Sequence, residues 1–465
     1  MEFSGVNTIY FLGIGGIGMS ALARYFSAKG YRVCGYDRTV SILTTKLQEE
    51  GVIVEYDNDC SLVQELDRTQ TLVVRTPAVP DDQPQYVWLR EHGFRIMKRA
   101  EVLGWLTGMA KSLCVAGTHG KTTTSTLLAH IMHGSQMGCS AFLGGISNNY
   151  QTNLLIDTNS EFVVTEADEY DRSFHHLSPY MSVITSMDAD HLDIYGTEES
   201  YHQSFEHYAS LVTHALVIKK GLNIDADRLS AKLYTYAVED EADFSARNVH
   251  YDNGVIVFDF HALDTVLPDM RLHVPAWVNV ENSVAALSIA YLLGLSEQEL
   301  RTGMATFAGV YRRFNMHVNS QTVSYIDDYA HHPEELIASI QSVKKLFPLR
   351  KILVAFQPHL YSRTHDFAPG FAQALSLADS VLLLPIYPAR ELPIAGVTSQ
   401  WLLSLISAET MSRVVEKTEL VEHISSIVSN WISIGESVVV MTLGAGDIDR
   451  LVNDIKQNLN IYEQS

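Results

Sequence analysis

Short apolar runs alternate along the chain with stretches whose apolar residues recur every three to four positions. NTIYFLG (7–13) reads as a buried strand, MSALARYFSAKG (19–30) as a helix ending on Gly30, and RVCGYD (32–37) as a second strand. Together they make a β-α-β unit. TLVVRTP (71–77) is another strand, the following TPAVPDDQP (76–84) a Pro-rich loop, and RAEVLGWLTGM (99–109) closes this region near residue 105. KSLCVAG (111–117) then runs into a loop and the helical TTTSTLLAHIMHG (122–134), with strands at EFVVTEAD (161–168) and MSVITSMD (181–188). From about 231 to 275 the runs shorten and alternate, as in VIVFDF (255–260), and predict an antiparallel insertion. A helix begins near Asn282. After YRRF (311–314) come the strand TVSYIDD (322–328), the helix PEELIASIQSVKKLF (333–347), and strands at KILVAF (351–356), ADSVLLLPI (378–386) and SVVVMTL (437–443).

Strands alternating with helices throughout predict parallel sheets covered on both faces. The 465 residues suit about three such domains. The expected class is α/β: a Rossmann-like N-terminal domain over 1–105, a central P-loop-type ATPase domain over 106–311, and a Rossmann-like C-terminal domain over 312–465. A hydrophobic share of 46% supplies several cores. The net charge of −21 disfavours nucleic acid and anionic membrane surfaces as partners, so neither is expected. The four cysteines form no C-x-x-C, and buried thiols in a cytoplasmic protein are expected. A monomer or weak homodimer is expected. The apolar start lacks a basic segment and is broken by glycines, so it reads as strand and loop rather than as a signal peptide.

Two glycine loops carry the candidate chemistry. GIGGIG (13–18) matches G-x-G-x-x-G between a strand and a helix, where backbone N–H groups meet a diphosphate at a helix N-terminus. Asp37 ends the next strand, where a ribose-binding acid sits in a dinucleotide fold. NAD is the simplest ligand, and any nucleotide diphosphate, including that of a UDP-sugar, meets the same requirement. The second loop, GTHGKT (117–122), departs from G-x-x-x-x-G-K-[ST] by having Val115 where a glycine is usual. Its backbone N–H groups would cradle phosphates, Lys121 would neutralise them, and Thr122 or Thr123 would offer a hydroxyl to Mg²⁺. Glu166, Asp168 and Glu169 follow one downstream strand, and Asp188, Asp190 and His191 another. Strand C-terminal ends are where an α/β sheet places its ligands. Arg312–Arg313 stands at the second-to-third domain junction. Asp327, Asp328, His331 and His332 follow one strand of the third domain, and His359 and Arg363 another.

The ordered set GIGGIGMS, GTHGKTTT, EADEYD, DADHLD, NVENSVAA, YRRF, DDYAHHP, FQPHLYSRT and LGAGD spans almost the whole chain and resembles the Mur ligases. The resemblance implies an ATP-dependent ligase that joins L-alanine to the lactyl carboxylate of UDP-N-acetylmuramate through an acyl phosphate, in peptidoglycan precursor synthesis. By the same resemblance Gly117, Thr118, His119, Gly120, Lys121, Thr122 and Thr123 hold ATP, with Asn279 on adenine, Arg313 on the γ-phosphate and Asp328 on ribose. Thr122 and Glu166 look like ligands of one Mg²⁺ and His191 of a second. His331, His359 and Arg363 would face the muramoyl and alanine end. Gly15, Gly16, Gly18 and Ser20 would line the UDP-diphosphate loop, with Asp37 and Thr76 nearby. The chain departs from the family at Val278-Asn279 where His-Asn is frequent, at Leu360 where arginine is frequent, and at Thr76-Pro77-Ala78-Val79. It also has no lysine in 188–208 to be carbamylated. The alternatives are a sibling ligase that adds a peptide to the same sugar and, resting on the first loop alone, an NAD-dependent oxidoreductase.

Overall fold

The computed structural model describes residues 5–389 and 391–462. The chain forms two compact units: Met1–Asn248 with Phe258–Met270 and Asn282–Phe307, and Val249–Val257 with Arg271–Glu281 and Ala308–Ser465. The first unit carries the first sheet and most of the second, and the second unit carries the remainder of the second and all of the third, which gives the three α/β layers the strand–helix alternation predicts.

The first sheet contains β1 (Thr8–Leu12), β2 (Arg32–Tyr36), β3 (Ile53–Glu55), β4 (Thr71–Arg75) and β5 (Arg95–Lys98) in the order β3-β2-β1-β4-β5, all parallel. Every residue of β1 is buried, because both faces are covered. The chain turns outward on opposite sides of β1, so the β1/β4 boundary is a topological switch point. The first glycine loop leaves β1 there, and Thr76 follows β4. On one face Ile9 and Phe11 pack with Leu22 and Phe26 of helix Ile17–Ala28, with Val102 and Leu106 of helix Arg99–Gly108, and with Phe142 and Leu154 of the second sheet.

The second sheet has ten strands. They are β6 (Lys111–Ala116), β7 (Ser140–Phe142), β8 (Leu154–Leu155), β9 (Phe162–Ala167), β10 (Pro179–Ile184), β11 (Ala215–Lys219), β12 (Lys232–Val238), β13 (Phe244–Asp252), β14 (Val255–Ala262) and β15 (Thr265–Leu272). Their order is β15-β14-β13-β12-β11-β10-β6-β9-β7-β8. β6 lies between β9 and β10, parallel to both. The Gly-Lys loop and both acid clusters therefore leave adjacent strand ends on one edge of the sheet. The expected insertion at 231–275 is corrected in part. β12 and β13 continue the parallel sheet, and the hairpin character begins after β13. There Asn253 and Gly254 both have positive φ, the type I′ turn that twist-matched hairpin strands require.

The second unit holds β16 (Asn315–Asn319), β17 (Val323–Asp328), β18 (Lys351–Phe356), β19 (Ser380–Leu383), β20 (Met411–Val414) and β21 (Val438–Leu443), ordered β16-β17-β21-β18-β19-β20. Only β16 runs antiparallel, against β17. Leu336, Ile340 and Phe371 fill one face and Ile424, Val428 and Ile455 the other. Cys34, Cys114 and Cys139 are buried free thiols, whereas Cys60 is only half-buried. No helix among the described residues is long and apolar enough to cross a membrane.

Two side-chain constraints set these packings. A Cβ added to Gly104 would lie 2.2 Å from the carbonyl oxygen of His176, so only glycine lets helix Arg99–Gly108 close on the segment Tyr170–His176. In the second unit Arg312 is buried, with Nε 3.1 Å from Asp327 Oδ2 and Nη2 donating at 2.6 Å to the carbonyl of Gly444.

Gly104→Ala is expected to destabilise the protein by roughly 1–3 kcal/mol, the usual cost of overpacking. Gly108→Ala in the same helix, where the added Cβ meets only Ser178 Oγ at 3.6 Å, is expected to be neutral or mildly stabilising; urea unfolding of both variants separates contact from helix propensity. Arg312→Met leaves Asp327 buried without its cation and is expected to cost about 3–5 kcal/mol. An unchanged urea midpoint for Arg312→Met would show that Thr442 alone, which donates to Asp327 Oδ1 at 2.8 Å, satisfies that carboxylate.

Candidate active site

The first loop is bent over β2: the N–H groups of Gly13 and Ile14 both donate to the carbonyl of Tyr36, at 2.8 and 3.0 Å. Gly13 has φ +84°, and a Cβ there would strike Thr76 Cγ2 at 2.6 Å. Two later glycines serve the protein's own side chains. A Cβ on Gly15 would lie 2.6 Å from Thr44 Cγ2 and 2.9 Å from Asp37 Oδ2, and one on Gly18 would lie 2.6 Å from Arg99 Nη1. Asp37 accepts the N–H of Gly15 at 2.8 Å and that of Thr39 at 3.0 Å. Its carboxylate thus braces the loop from the end of the neighbouring strand. Gly16 caps the helix Ile17–Ala28. The Ser20 hydroxyl is buried and committed elsewhere: it donates to Ile17 O at 3.0 Å and accepts from Asn153 Nδ2 at 2.9 Å. It ties Asn153, beside the second sheet's edge, to this helix.

The second loop is built by left-handed backbone at Gly117 (φ +134°) and Gly120 (φ +81°). Val115 belongs to β6, as the shortened glycine pattern requires. The end of β10 clamps the loop: His119 N–H donates to Ser186 Oγ at 2.9 Å, and Thr118 Oγ1 donates to the carbonyl of Asp188 at 2.7 Å. Asn282 clamps it from helix Val278–Leu292. Its Oδ1 accepts from Thr124 Oγ1 at 3.2 Å and would lie 2.6 Å from a Cβ on Gly120. Lys121 curls back on the loop, its Nζ 2.5 Å from the carbonyl of Gly117 and 3.0 and 2.8 Å from the two oxygens of Glu169. Burial acts to lower the Lys121 pKa, but the carboxylates of Glu169, Asp168 and Glu166 together outweigh it and hold the ammonium charged.

Thr122 and Thr123 are buried in the first turn of helix Lys121–His133. Glu166 Oε1 stands 3.4 Å from Ser125 Oγ of the next turn. It lies in a cradle that Gly144 leaves open, since a Cβ on Gly144 would come within 2.1 Å of it. His191 lies on the other side, Nε2 3.9 Å from Glu169 Oε1 and 3.7 Å from Asp190 Oδ2. Asp168 accepts from Arg99 Nη2 at 2.8 Å, which joins the first loop's surroundings to the acids of the second. Arg99, Glu169 and Asn282 carry contacts that the sequence reading did not assign them. Glu169 belongs to the acid cluster after β9, and Arg99 directly follows β5, so both lie at strand C-terminal ends.

The second unit gathers the remaining candidates. Arg313 lies over the ring of Tyr329, 5.1 Å from its centroid. Asp328 accepts from Ser339 Oγ at 2.8 Å; burial pushes its carboxyl up to about 6, with Ser339 and Arg313 pulling the other way. His331 is pushed down to about 4 by burial, against the pull of Glu335, and is therefore neutral near pH 7. Its ring stands 6.2 Å from that of His359, which stacks on Tyr387 at 5.8 Å. Arg363 is close enough to weigh on the charge of His331. Leu360, at the departure from the family pattern, has φ +69° and donates its N–H to the carbonyl of Tyr387 at 2.9 Å. Gln357 is buried between two loops, its Nε2 donating to Asp447 Oδ1 and its Oε1 accepting from the N–H of Ile448, both at 2.9 Å. Asn279 also belongs to this unit and is buried, its N–H on the carbonyl of Ala276 at 2.9 Å.

Three family models match in series: the Mur ligase family catalytic domain at residues 8–110, the Mur ligase middle domain at 115–290 and the Mur ligase glutamate ligase domain at 312–446. The UDP-N-acetylmuramate–L-alanine ligase of Parabacteroides distasonis is 50% identical over 99% of this chain and 98% of its own. The crystal structure of UDP-N-acetylmuramate-alanine ligase MurC from Thermotoga maritima matches with a TM-score of 0.81 at 28% identity, covering 98% of this chain and 99% of that one. A murein peptide ligase from Psychrobacter arcticus shares the fold, with a TM-score of 0.68 at 22% identity over 97% and 98% of the two chains. With three consecutive domain matches and half of its residues shared with a full-length relative, the chain belongs to the Mur ligase family.

Proposed function

We propose that the protein is an ATP-dependent ligase that joins L-alanine to the lactyl carboxylate of UDP-N-acetylmuramate, a step of peptidoglycan precursor synthesis. The observation that carries this reading is the identity of 50% with an alanine ligase along the whole chain, in a protein with two differently built phosphate loops in one unit. In this reading 1–105 bind the sugar nucleotide, 106–311 bind ATP, and 312–465 complete the site. The peptide-adding sibling is supported less, by fold alone. An NAD oxidoreductase leaves Lys121, its loop and the acids around it without a task.

A carboxylate resists an amine because its charge repels the nucleophile and its leaving group is poor. Phosphorylation removes both obstacles. The lactyl carboxylate attacks the γ-phosphorus of ATP, ADP departs, and an acyl phosphate forms. The alanine amine then adds to the acyl carbon, and the tetrahedral intermediate expels phosphate to leave the amide. Two anions must approach in the first step, so this chain's work is chiefly electrostatic. Lys121 exchanges Glu169 for the nucleotide's phosphates, the loop amides orient them, and Arg313 neutralises the γ-phosphate. Neutral His331, with His359 and Arg363, faces the alanine end, and excluding water protects the acyl phosphate.

The donor set suits Mg²⁺: a threonine hydroxyl and the Glu166 carboxylate in its glycine cradle, with His191 for a second ion. Among the described residues no three His, Cys, Asp or Glu side chains form a ready cage. A cation that takes most of its ligands from phosphates and water needs none. When bound, Mg²⁺ supplies charge neutralisation on the phosphates.

Phosphate release should require ATP, UDP-N-acetylmuramate and L-alanine together; full release without an amino acid, or equal release with the tripeptide in place of alanine, overturns the assignment. Lys121→Ala should lower kcat by roughly a hundred- to a thousand-fold, and near-normal turnover removes Lys121 from the site. Gly144→Ala drives a methyl into Glu166, so the Mg²⁺ concentration for half-maximal rate should rise several-fold, and an unchanged Mg²⁺ dependence removes Glu166 from the metal.

A further inference from the structure

Arg99 sits between the two loops and has two faces. One lies against Gly18, the last glycine of the first loop, where even a Cβ would come within 2.6 Å of Nη1. The other donates from Nη2 to Asp168 Oδ2 at 2.8 Å, beside Glu166. The helix that Arg99 opens does not need this side chain, because Glu101 caps it by accepting the N–H of Lys98 at 2.6 Å. The guanidinium instead borders a cavity of about 120 Å³ whose wall includes Gly18, Gly144, Glu166 and Asp168.

The Arg99 and Asp168 side chains keep 22% and 36% of their exposure. The pair is partly buried and still reached by water, so a carboxylate brought by a ligand can compete with Asp168 for the guanidinium. The fork of a guanidinium fits a carboxylate bidentately. A sugar nucleotide whose diphosphate rests on the first loop must extend its reacting carboxylate from Gly18 toward Glu166 and Lys121. Arg99 spans that interval.

We propose that Arg99 recognises the reacting carboxylate of the sugar nucleotide, and that Asp168 stands in for that carboxylate while the site is empty. This rests on the substrate assignment above. Arg99 then selects the lactyl-bearing sugar over the same UDP-sugar without its lactyl ether, UDP-N-acetylglucosamine. The carboxylate is held, with its charge balanced, at the threshold of the phosphoryl-transfer site. Asp168 swings off the guanidinium as the substrate arrives.

The test is calorimetric binding to the full chain without ATP, with both UDP-sugars as ligands. Arg99→Ala should weaken UDP-N-acetylmuramate about tenfold or more, the loss typical of a charge-assisted hydrogen bond, and leave UDP-N-acetylglucosamine within about twofold. Arg99→Lys should restore part of the loss. Asp168→Asn keeps the acceptor for the N–H of Tyr170, 3.1 Å away, but removes the competing charge, so it should tighten UDP-N-acetylmuramate. If the pair were only a structural tie, Asp168→Asn would weaken that ligand instead. Equal loss of both sugars in Arg99→Ala would place Arg99 on the diphosphate, and no loss of either would remove it from the site; each overturns the proposal. Wild-type protein that fails to bind UDP-N-acetylmuramate would sink the substrate assignment itself, whatever the variants do.

Discussion

A buried ammonium needs a buried anion, and the pairing of Lys121 with Glu169 governs the rest of the nucleotide loop. The Lys121 and Glu169 side chains retain only 15% and 3% of their exposure, so each alone would carry a desolvation penalty of several kcal/mol. The pair fixes where the ammonium lies, and that in turn fixes the loop: Lys121 draws in the carbonyls of Gly117 and Thr118. Those carbonyls can point inward only because Gly117 adopts a backbone that other residues avoid. In a protein with net charge −21, this lysine thus stays charged although buried, held by its own carboxylate neighbours.

The same economy joins the two sheets of the first unit. Asn153 donates to the carbonyl of Ile17 and to Ser20, and accepts from Arg24. Gly104 lets its own helix, Arg99–Gly108, rest on the backbone of His176. Arg99 reaches Asp168 across the same seam. Each is a polar or steric fit around an apolar patch in which Phe142 and Leu154 of the second sheet join the core of the first. The apolar burial supplies the attraction and these fits choose the geometry.

The sheets were legible in the sequence because strands buried on both faces read as unbroken apolar runs, and β1, β6, β18 and β21 all do. The glycine loops were legible because their conformations exclude other residues. The reasons for particular glycines were not. Gly15 and Gly18 look like ligand glycines, yet the neighbours that a side chain there would meet are Thr44, Asp37 and Arg99, from 22 to 81 positions further along. The partner of Ser20 is equally remote: Asn153 is 133 residues away. A motif reports that a backbone shape is needed at a place. It does not report which groups the fold will bring against it. β16 was missed because NMHVN (315–319) pairs antiparallel at an edge, where alternation replaces the apolar run.

Arg312 and Arg313 show how far one turn of backbone divides identical chemistry. Arg312 has φ +60° and Phe314 φ +49°, so the chain reverses its usual twist twice within three residues. The first reversal sends the Arg312 guanidinium inward to Asp327 and to the carbonyl of Gly444, in the loop after β21. The carbonyl of Arg312 accepts the N–H of Tyr329 at 2.7 Å, which holds the ring of Tyr329 beneath both arginines. Arg313 is thereby carried to the Asp328 side of that ring, where its charge lowers the cost of ionising a buried carboxyl. The buried arginine fixes the loop and the adjacent one is presented by it. Exchanging their roles would require the left-handed residue to move by one position. The pair therefore works as a single device, in which the structural arginine sets where the other can reach.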